Sequence, residues 1–446
     1  MTTMHRPTSQ SRAARRCAAL PAVPATAALV LLAAGCAAPG AAPSPASVGP
    51  MIRADVAYLA SDALEGRGTG TPGNDSAAAY IARRYAALGL ADPFPGGQRP
   101  YLQPFVALSA ADAHAGRTEG RPTNNVVAVA RGTDPALRGQ VVVIGAHFDH
   151  LGRSSESALD PQAGDAIRNG ADDNASGTAA LLELARRFAE RPARRTVAFV
   201  AFSAEELGLL GAEHFVKEMP FAVDSVQAML NFDMVGRLRD DRLIVLGTGT
   251  AAEMPALLAA ANAGADSLRL SLVPDGYGRS DHSAFYGRGI PVLHFFTDLH
   301  DDYHRATDDA EKIDHEGIER VVALAERVAR DAADRPARLQ VIHTAPPAPV
   351  ASSGSGNAVY FGSVPDMGAS DTPGLRLTGV TPGSPADRAG VKPGDVVVEF
   401  GGTKVTDLYT YTDALRSHAP GDVVKVVVLR DGQRLEMEVT LGKRGG

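Results

Sequence analysis

Four short stretches gather groups able to bind a metal or move a proton: GAHFDHLG (145–152), NGADDNASGTAA (169–180), FSAEELGLLG (202–211) and NFDMVGR (231–237). In the first, His147 and Asp149 are two residues apart. On an extended chain they face the same side, so the aspartate can accept the second imidazole N–H, as it does behind a metal-ligating histidine. In the second, Asp172 and Asp173 precede a helical pattern. One acid is enough to cap a helix, whereas two buried neighbours repel unless a cation joins them. In the third, Glu205 and Glu206 are adjacent, so their side chains diverge and cannot share one task. One can hold a metal while the other points at the water to be activated, a division suited to hydrolysis. The plainer alternative is a helix start whose acids suit the dipole. The fourth stretch places Asp233 at the end of an apolar run, and HDDYHRATDD (300–309) adds His304 in a polar loop.

Singly, each stretch fits a structural role. Together they offer two histidines and three or more carboxylates, the oxygen and nitrogen ligand set of a two-zinc hydrolase. Cysteine ligation is excluded, because the two cysteines, Cys17 and Cys36, both precede residue 40. Two divalent cations and one hydroxide would balance the charges of Asp173, Glu206 and Asp233, which makes burial of these acids tolerable.

The elements that must position these groups are legible in outline. Residues 140–147, 196–203, 226–233 and 290–297 read as buried strands. Residues 177–189, with Leu181, Leu184, Ala185 and Phe188, and residues 316–335 read as amphipathic helices. Continuous apolar strands alternating with helices predict an α/β fold: a mixed, mostly parallel sheet with helices on both faces. Ligands of such sheets gather at the carboxyl ends of the strands. His147 with Asp149, Glu205 with Glu206, and Asp233 all fall at such ends.

The bulk properties agree. A chain of 446 residues suggests two or three domains. Its net charge of −7, without a long basic run, argues against nucleic acid. Residues 1–36 carry Arg12, Arg15 and Arg16, an apolar stretch and then LLAAGC, and this resembles a bacterial lipoprotein signal acylated at Cys36. An exported protein of the periplasm or cell envelope, held to the membrane by lipidated Cys36, is expected; an ordinary cleaved signal is the alternative. Residues 37–50 and 341–357 read as Pro/Ala/Ser/Gly-rich linkers around a body of 51–340 and a tail of 358–446.

The stretch YLASDALEGRGTGTPGNDSAAAYIARRYAALGL (58–90), followed in order by AHFDH, GADDNASG, SAEELGLLGAEHF and DMVG, resembles the zinc aminopeptidases related to bacterial leucyl aminopeptidase and glutamate carboxypeptidase. The likeness runs to about residue 335. It implies a zinc-exopeptidase fold of the phosphorylase/hydrolase type with two zinc ions. His147 and Asp233 would bind one, Glu206 and His304 the other, and Asp173 would bridge them. Glu205 would be the general base and Asp149 would orient His147. In GYGRSDHSAF (276–285), Tyr277 would offer its hydroxyl to the oxyanion, and Asp281 and His282 read as structural. Some relatives flank that tyrosine with cysteines; Asp275 and Arg279 stand there instead. The implied activity is removal of N-terminal residues from peptides. The alternatives are a carboxypeptidase or dipeptidase of the same fold, a one-zinc glutaminyl-cyclase-like acyltransferase, or an inactive scaffold.

The tail resembles a bacterial-type PDZ domain through GVTPGSPADRAGVKPGDVVVEFGG (379–402). Ser384, Pro385 and Gly390 suit the cap, first turn and end of a short helix. Residues 421–441 read as a hairpin turning at Asp431-Gly432. YFGS (360–363) places Phe361, Gly362 and Ser363 where backbone N–H groups can hold a peptide C-terminal carboxylate.

Overall fold

The computed structural model describes residues 49–97, 99–109, 118–154, 157–343, 359–365, 374–405, 410–411, 414–415 and 417–443. Cys36 and the signal segment lie outside them. Among the described residues, no helix is long and apolar enough to cross a membrane.

The body contains helices α1 (Gly49–Leu59), α2 (Pro72–Ala87), α3 (Gly177–Glu190), α4 (Leu210–Lys217), α5 (Met254–Ala261), α6 (His282–Tyr286) and α7 (His315–Asp334). Its strands are β1 (Leu102–Ala107), β2 (Arg121–Ala130), β3 (Val141–His147), β4 (Thr196–Phe202), β5 (Val226–Phe232), β6 (Arg242–Leu246), β7 (Arg269–Val273) and β8 (Val292–Phe296). They form one sheet of order β1-β2-β4-β3-β5-β8-β6-β7. The centre, β4-β3-β5-β8, is parallel, and β1, β2 and the β6–β8 pairing are antiparallel. The mixed, mostly parallel α/β sheet is as expected.

The strands are apolar throughout because both faces are covered. Along β3, Val142, Ile144 and Ala146 enter a core shared with α1, α2, α3, α5 and α7. Val141 and Val143 enter a second core with Phe215 of α4 and Phe285 of α6. Leu181, Leu184, Ala185 and Phe188 of α3 are fully buried, each large side chain contributing about 1.5–3 kcal/mol. Asp314 caps α7 by accepting the Gly317 N–H at 2.9 Å.

Two expected boundaries shift. Helix α1 begins at Gly49, inside the expected 37–50 linker. Residues 341–343 stay with the body: the Ile342 N–H binds the Thr250 carbonyl at 2.9 Å, and Tyr286 binds the Ile342 carbonyl at 3.3 Å.

The tail holds β9 (Val359–Tyr360), β10 (Ser363–Pro365), β11 (Leu375–Val380), α8 (Pro385–Arg388), β12 (Val396–Phe400), β13 (Thr403–Lys404), β14 (Val423–Arg430), β15 (Gln433–Thr440) and β16 (Gly442–Lys443). The expected hairpin is β14–β15, with Arg430 opposite Gln433. Ser384 caps α8 through the Asp387 N–H, and Gly390 takes a φ of 85° after it.

Candidate metal centre

Sheet order explains the convergence. Strands β4, β3, β5 and β8 are neighbours, and each delivers its residues at its carboxyl end. His147 is the last residue of β3, and Glu205 and Glu206 follow β4. Asp233 directly follows β5, and His304 lies in the loop beyond β8. The backbone there leaves ordinary geometry: Ala204, Met234 and His304 have φ of 60°, 51° and 53°. Such left-handed, non-glycine residues cost about 1–3 kcal/mol each and persist only where the surroundings fix them. Asn125 supplies part of that fixing, since its side chain takes the Ser203 N–H at 3.1 Å and gives to the Gly211 carbonyl at 2.9 Å. A Cβ on Gly211 would lie 2.0 Å from the Ser203 carbonyl oxygen. The chain therefore doubles back tightly after its two glutamates, and the leucines that follow belong to this return.

All five expected metal-ligating residues meet. His147 Nε2 lies 3.2 Å from Asp233 Oδ1 and 3.4 Å from Asp173 Oδ1. His304 Nε2 lies 3.2 Å from Asp173 Oδ2 and 3.3 Å from Glu206 Oε2. The two oxygens of Asp173 thus face different imidazoles. Each imidazole turns its other nitrogen to a backbone carbonyl: His147 Nδ1 to Asp149 at 3.2 Å, His304 Nδ1 to Ser157 at 3.0 Å. Donation from Nδ1 leaves Nε2 with a free lone pair, the tautomer a metal requires.

The expected role of Asp149 needs correction. Its carboxylate is 3.8 Å from His147 Nδ1, too far for a hydrogen bond. Its carbonyl makes the closer approach to His147. The carboxylate instead accepts from Thr69 Oγ1 at 2.8 Å and from the Glu205 N–H at 3.1 Å.

Asp172 and Asp173, adjacent in sequence, have separate surroundings. Asp172 accepts from the Gly236 N–H at 2.7 Å and Ser176 Oγ at 2.9 Å, and faces His300 at 3.1 Å. Neither acid caps α3; the Asn174 side chain takes the Gly177 N–H at 3.0 Å. Asp173 is left for the two imidazoles.

The electrostatics divide the acids. Burial works to raise the Asp173 pKa, but His150, His147 and His304 hold it well below the usual range. Glu206 is likewise pulled down to about 2, by His304 and His150 against burial. Glu205 goes the other way: burial, then Glu206, Asp281 and Asp233, push it well above its ordinary value against the pull of His147. The two adjacent glutamates therefore differ in proton affinity, because their surroundings differ. Asp149 is raised to about 6, mainly by burial. Burial works to lower His147 and His304, yet Asp233 and Glu205 for the first, and Glu206 and Asp173 for the second, hold both well above the usual imidazole value.

Some functional neighbours were not expected. His150 is buried, and its Nδ1 lies 2.8 Å from Glu206 Oε1. It stands beside Asp149 in AHFDH, so the motif itself held the signal. Tyr303 stacks on His304 with ring centroids 3.9 Å apart, and burial with the nearby carboxylates raises its hydroxyl pKa well above 10. Arg67 and Asp308 approach the Asp173 loop from more than 100 residues away in sequence. Tyr277 is found on the second core, edge-on to Tyr286 at 4.7 Å, with its N–H on Asp275. That aspartate, in the place of a cysteine, holds the loop. Asp281 is fully buried, with its carboxyl pushed up to about 8 by burial and by Asp233 and Asp149, against His147. His282 stacks on His294 at 4.4 Å.

In the tail, Phe361 is buried edge-on against Phe400 and its carbonyl accepts the Ala386 N–H at 2.9 Å. Gly362 has φ 91°, and a Cβ there would lie 2.1 Å from Ser384 Cβ. Ser363 Oγ bonds the Tyr411 hydroxyl. The loop is thus pinned at three successive residues.

The donor set suits a divalent cation such as zinc. It comprises only imidazole nitrogens and carboxylate oxygens, and candidate ligand atoms of His147, Glu205 and Asp233, and of His150, Asp173 and Glu206, lie within 4.8 Å of one another in each group. Burial of this many acids without cations would be costly.

Residues 125–329 match the description "Peptidase family M28", and residues 365–441 match "PDZ domain". Aminopeptidase YwaD of Bacillus subtilis is 34% identical over 162 residues, covering 34% of this chain and 35% of that relative. The matched regions span only 22–35% of the curated relatives' own lengths. Among solved structures, BSAP, a zinc aminopeptidase from Bacillus subtilis, superposes with a TM-score of 0.52 at 18% identity, covering 64% of this chain and 95% of that one. A glutaminyl cyclase from Bacteroides thetaiotaomicron gives 0.51 at 15% identity, covering 64% and 97%. At these identities the likeness shows the fold alone, and it does not separate the two activities.

Proposed function

We propose that the chain, whose residues 125–329 match peptidase family M28 and whose residues 365–441 match a PDZ domain, is a zinc-dependent aminopeptidase that removes N-terminal residues from peptides. The observation that carries this is the divided carboxylate of Asp173, with Oδ1 toward His147, which also meets Asp233, and Oδ2 toward His304, which also meets Glu206. One acid facing two imidazole–carboxylate pairs is an arrangement for two cations. His147 and Asp233 would hold one zinc, His304 and Glu206 the other, with Asp173 between. Bound there, the two ions would supply Lewis-acid polarisation of the scissile carbonyl and of the attacking water.

The chain's own residues perform the proton transfers. Glu205, whose proton affinity burial and the neighbouring acids raise above the ordinary carboxylate value, is the proposed base. It takes a proton from the attacking water and passes it to the leaving amine. Asp149 holds the Glu205 backbone in place, and Nδ1 contacts keep His147 and His304 in the ligating tautomer. Tyr303, stacked on His304, joins Tyr277 as a candidate to meet charge developing near the site.

Export by residues 1–36, membrane attachment through Cys36, and capture of a peptide C-terminus by the Phe361–Gly362–Ser363 loop belong to the same reading. Zinc content measured by elemental analysis tests the core of it. Two ions per chain, falling on Asp173→Ala substitution, support it. One ion per chain moves the site toward the cyclase-like acyltransferase.

A further inference from the structure

We propose that Arg67 and Asp308 are positioning residues that preform the bridging carboxylate of Asp173, each gripping the loop before it through opposite polarity. The inference rests on the two-zinc reading above.

Five consecutive residues, 169 to 173, are held through their backbone by these two residues. The Arg67 guanidinium donates to the carbonyls of Asn169 at 2.7 Å and Gly170 at 2.9 Å. The Ala171 N–H donates to the Asp308 carbonyl at 3.0 Å. The N–H groups of Asp172 and Asp173 donate to Asp308 Oδ2 at 2.9 and 3.1 Å. The same guanidinium also reaches the carbonyls of Phe148 at 2.7 Å and Leu59. It therefore ties the loop of Asp173 to the segment joining His147 and Asp149.

This grip is costly to build. Arg67 is fully buried, its pKa lowered to about 10 by burial although Asp149, Asp173, Asp308 and Glu206 pull the other way. Glu65, Gly66 and Arg67 all take left-handed backbone, with φ of 47°, 69° and 54°. A Cβ on Gly66 would lie 2.1 Å from the Arg168 carbonyl oxygen, so the turn is pressed against the chain entering the Asp173 loop. Asp308 is fully buried too, balanced by Arg237 at 3.2 Å. Buried ions are poor devices for stability alone, because apolar packing of similar volume often does better. They are good devices for fixing backbone direction. A bridging carboxylate needs both oxygens placed closely, and ligands are set by the groups behind them. Neither residue needs to touch a metal to do this.

The test uses the full exported chain and the variants Arg67→Lys, Asp308→Ala and Asp308→Asn. Zinc affinity is measured by competition with a chromogenic chelator, alongside the melting temperature of the zinc-free protein and the split between kcat and KM. Arg67→Lys and Asp308→Ala should weaken zinc binding about 10–100-fold and lower kcat with KM little changed. Asp308→Asn, whose amide oxygen can still accept both N–H groups, should restore most of the affinity. If Asp308→Ala does not fold, the comparison of Asp308→Asn with Arg67→Lys carries the same prediction. Unchanged zinc affinity in Arg67→Lys, with only a lower melting temperature, would overturn the proposal. So would an Asp308→Asn variant as weak as Arg67→Lys. Wild-type chain that binds one zinc or none removes the two-zinc reading itself, whereas wild-type chain that binds two, with variants that bind as well, removes only this inference.

Discussion

The Asp149 carboxylate binds the backbone N–H of Glu205 at 3.1 Å, although the two residues come from different strands. The acid beside the first imidazole therefore sets the position of the residue proposed as base. A change at one should be felt at the other, while the ligand set stays intact.

Glu205→Gln should retain wild-type zinc and lose about 10²–10⁴ in kcat, because a positioned base is removed and no ligand is. Zinc analysis with peptide turnover checks this. Loss of zinc would reverse the assignment of Glu205 and Glu206.

Thr69→Val removes the 2.8 Å hydrogen bond to Asp149 and leaves one oxygen of a buried carboxylate unmet. The expected stability loss is about 1–3 kcal/mol by denaturant unfolding. A drop in kcat with unchanged zinc content should accompany it. An unaltered kcat would detach Asp149 from the base.

Zinc binding should release protons at neutral pH. In the zinc-free chain, neighbouring carboxylates raise the proton affinity of His147 and His304 well above the usual imidazole value, which favours the protonated rings. Ligation needs neutral rings. Affinity should therefore rise with pH, and calorimetry in buffers of different ionisation enthalpy reads the protons directly. The sign for zinc-free stability is opposite. A raised folded pKa contributes fully below the unfolded value of about 6.5 and is lost as pH climbs through the folded one.

Helices α3 and α7 are clasped by Glu326, which binds Arg187 at 2.9 Å and Arg330 at 2.6 Å. Burial works to raise its pKa, but the two arginines hold it below the ordinary value. Its contribution is present above the unfolded pKa of about 4.3 and fades as pH falls through the folded one. Glu326→Gln should cost about 1–2 kcal/mol at pH 7, and the gap from wild type should close in acid.

Much of this was legible because the sheet encodes it locally. A strand buried on both faces is apolar throughout, so the acids and imidazoles that end Val141–His147, Thr196–Phe202 and Val226–Phe232 stand out. The acid pair at 172–173 was visible, but its division of labour was not. That division depends on Gly236, His300 and His304, which only the fold brings near. Arg67 and Asp308 were hidden for the same reason, since their partners are backbone groups distant in sequence. The Asp149 expectation failed by a small geometric margin, because alternation on an extended strand says nothing of the turn after His147. Tyr277 was legible only through the resemblance; its ring meets Tyr286 and its N–H binds Asp275.

The most direct measurement takes residues 37–446 with zinc and a peptide series, each peptide offered with a free and with an acetylated N-terminus, and identifies products by mass. Stepwise loss of N-terminal residues from the free peptides alone is the predicted result. Loss from the carboxyl end, or equal cleavage of the acetylated peptides, would contradict an aminopeptidase.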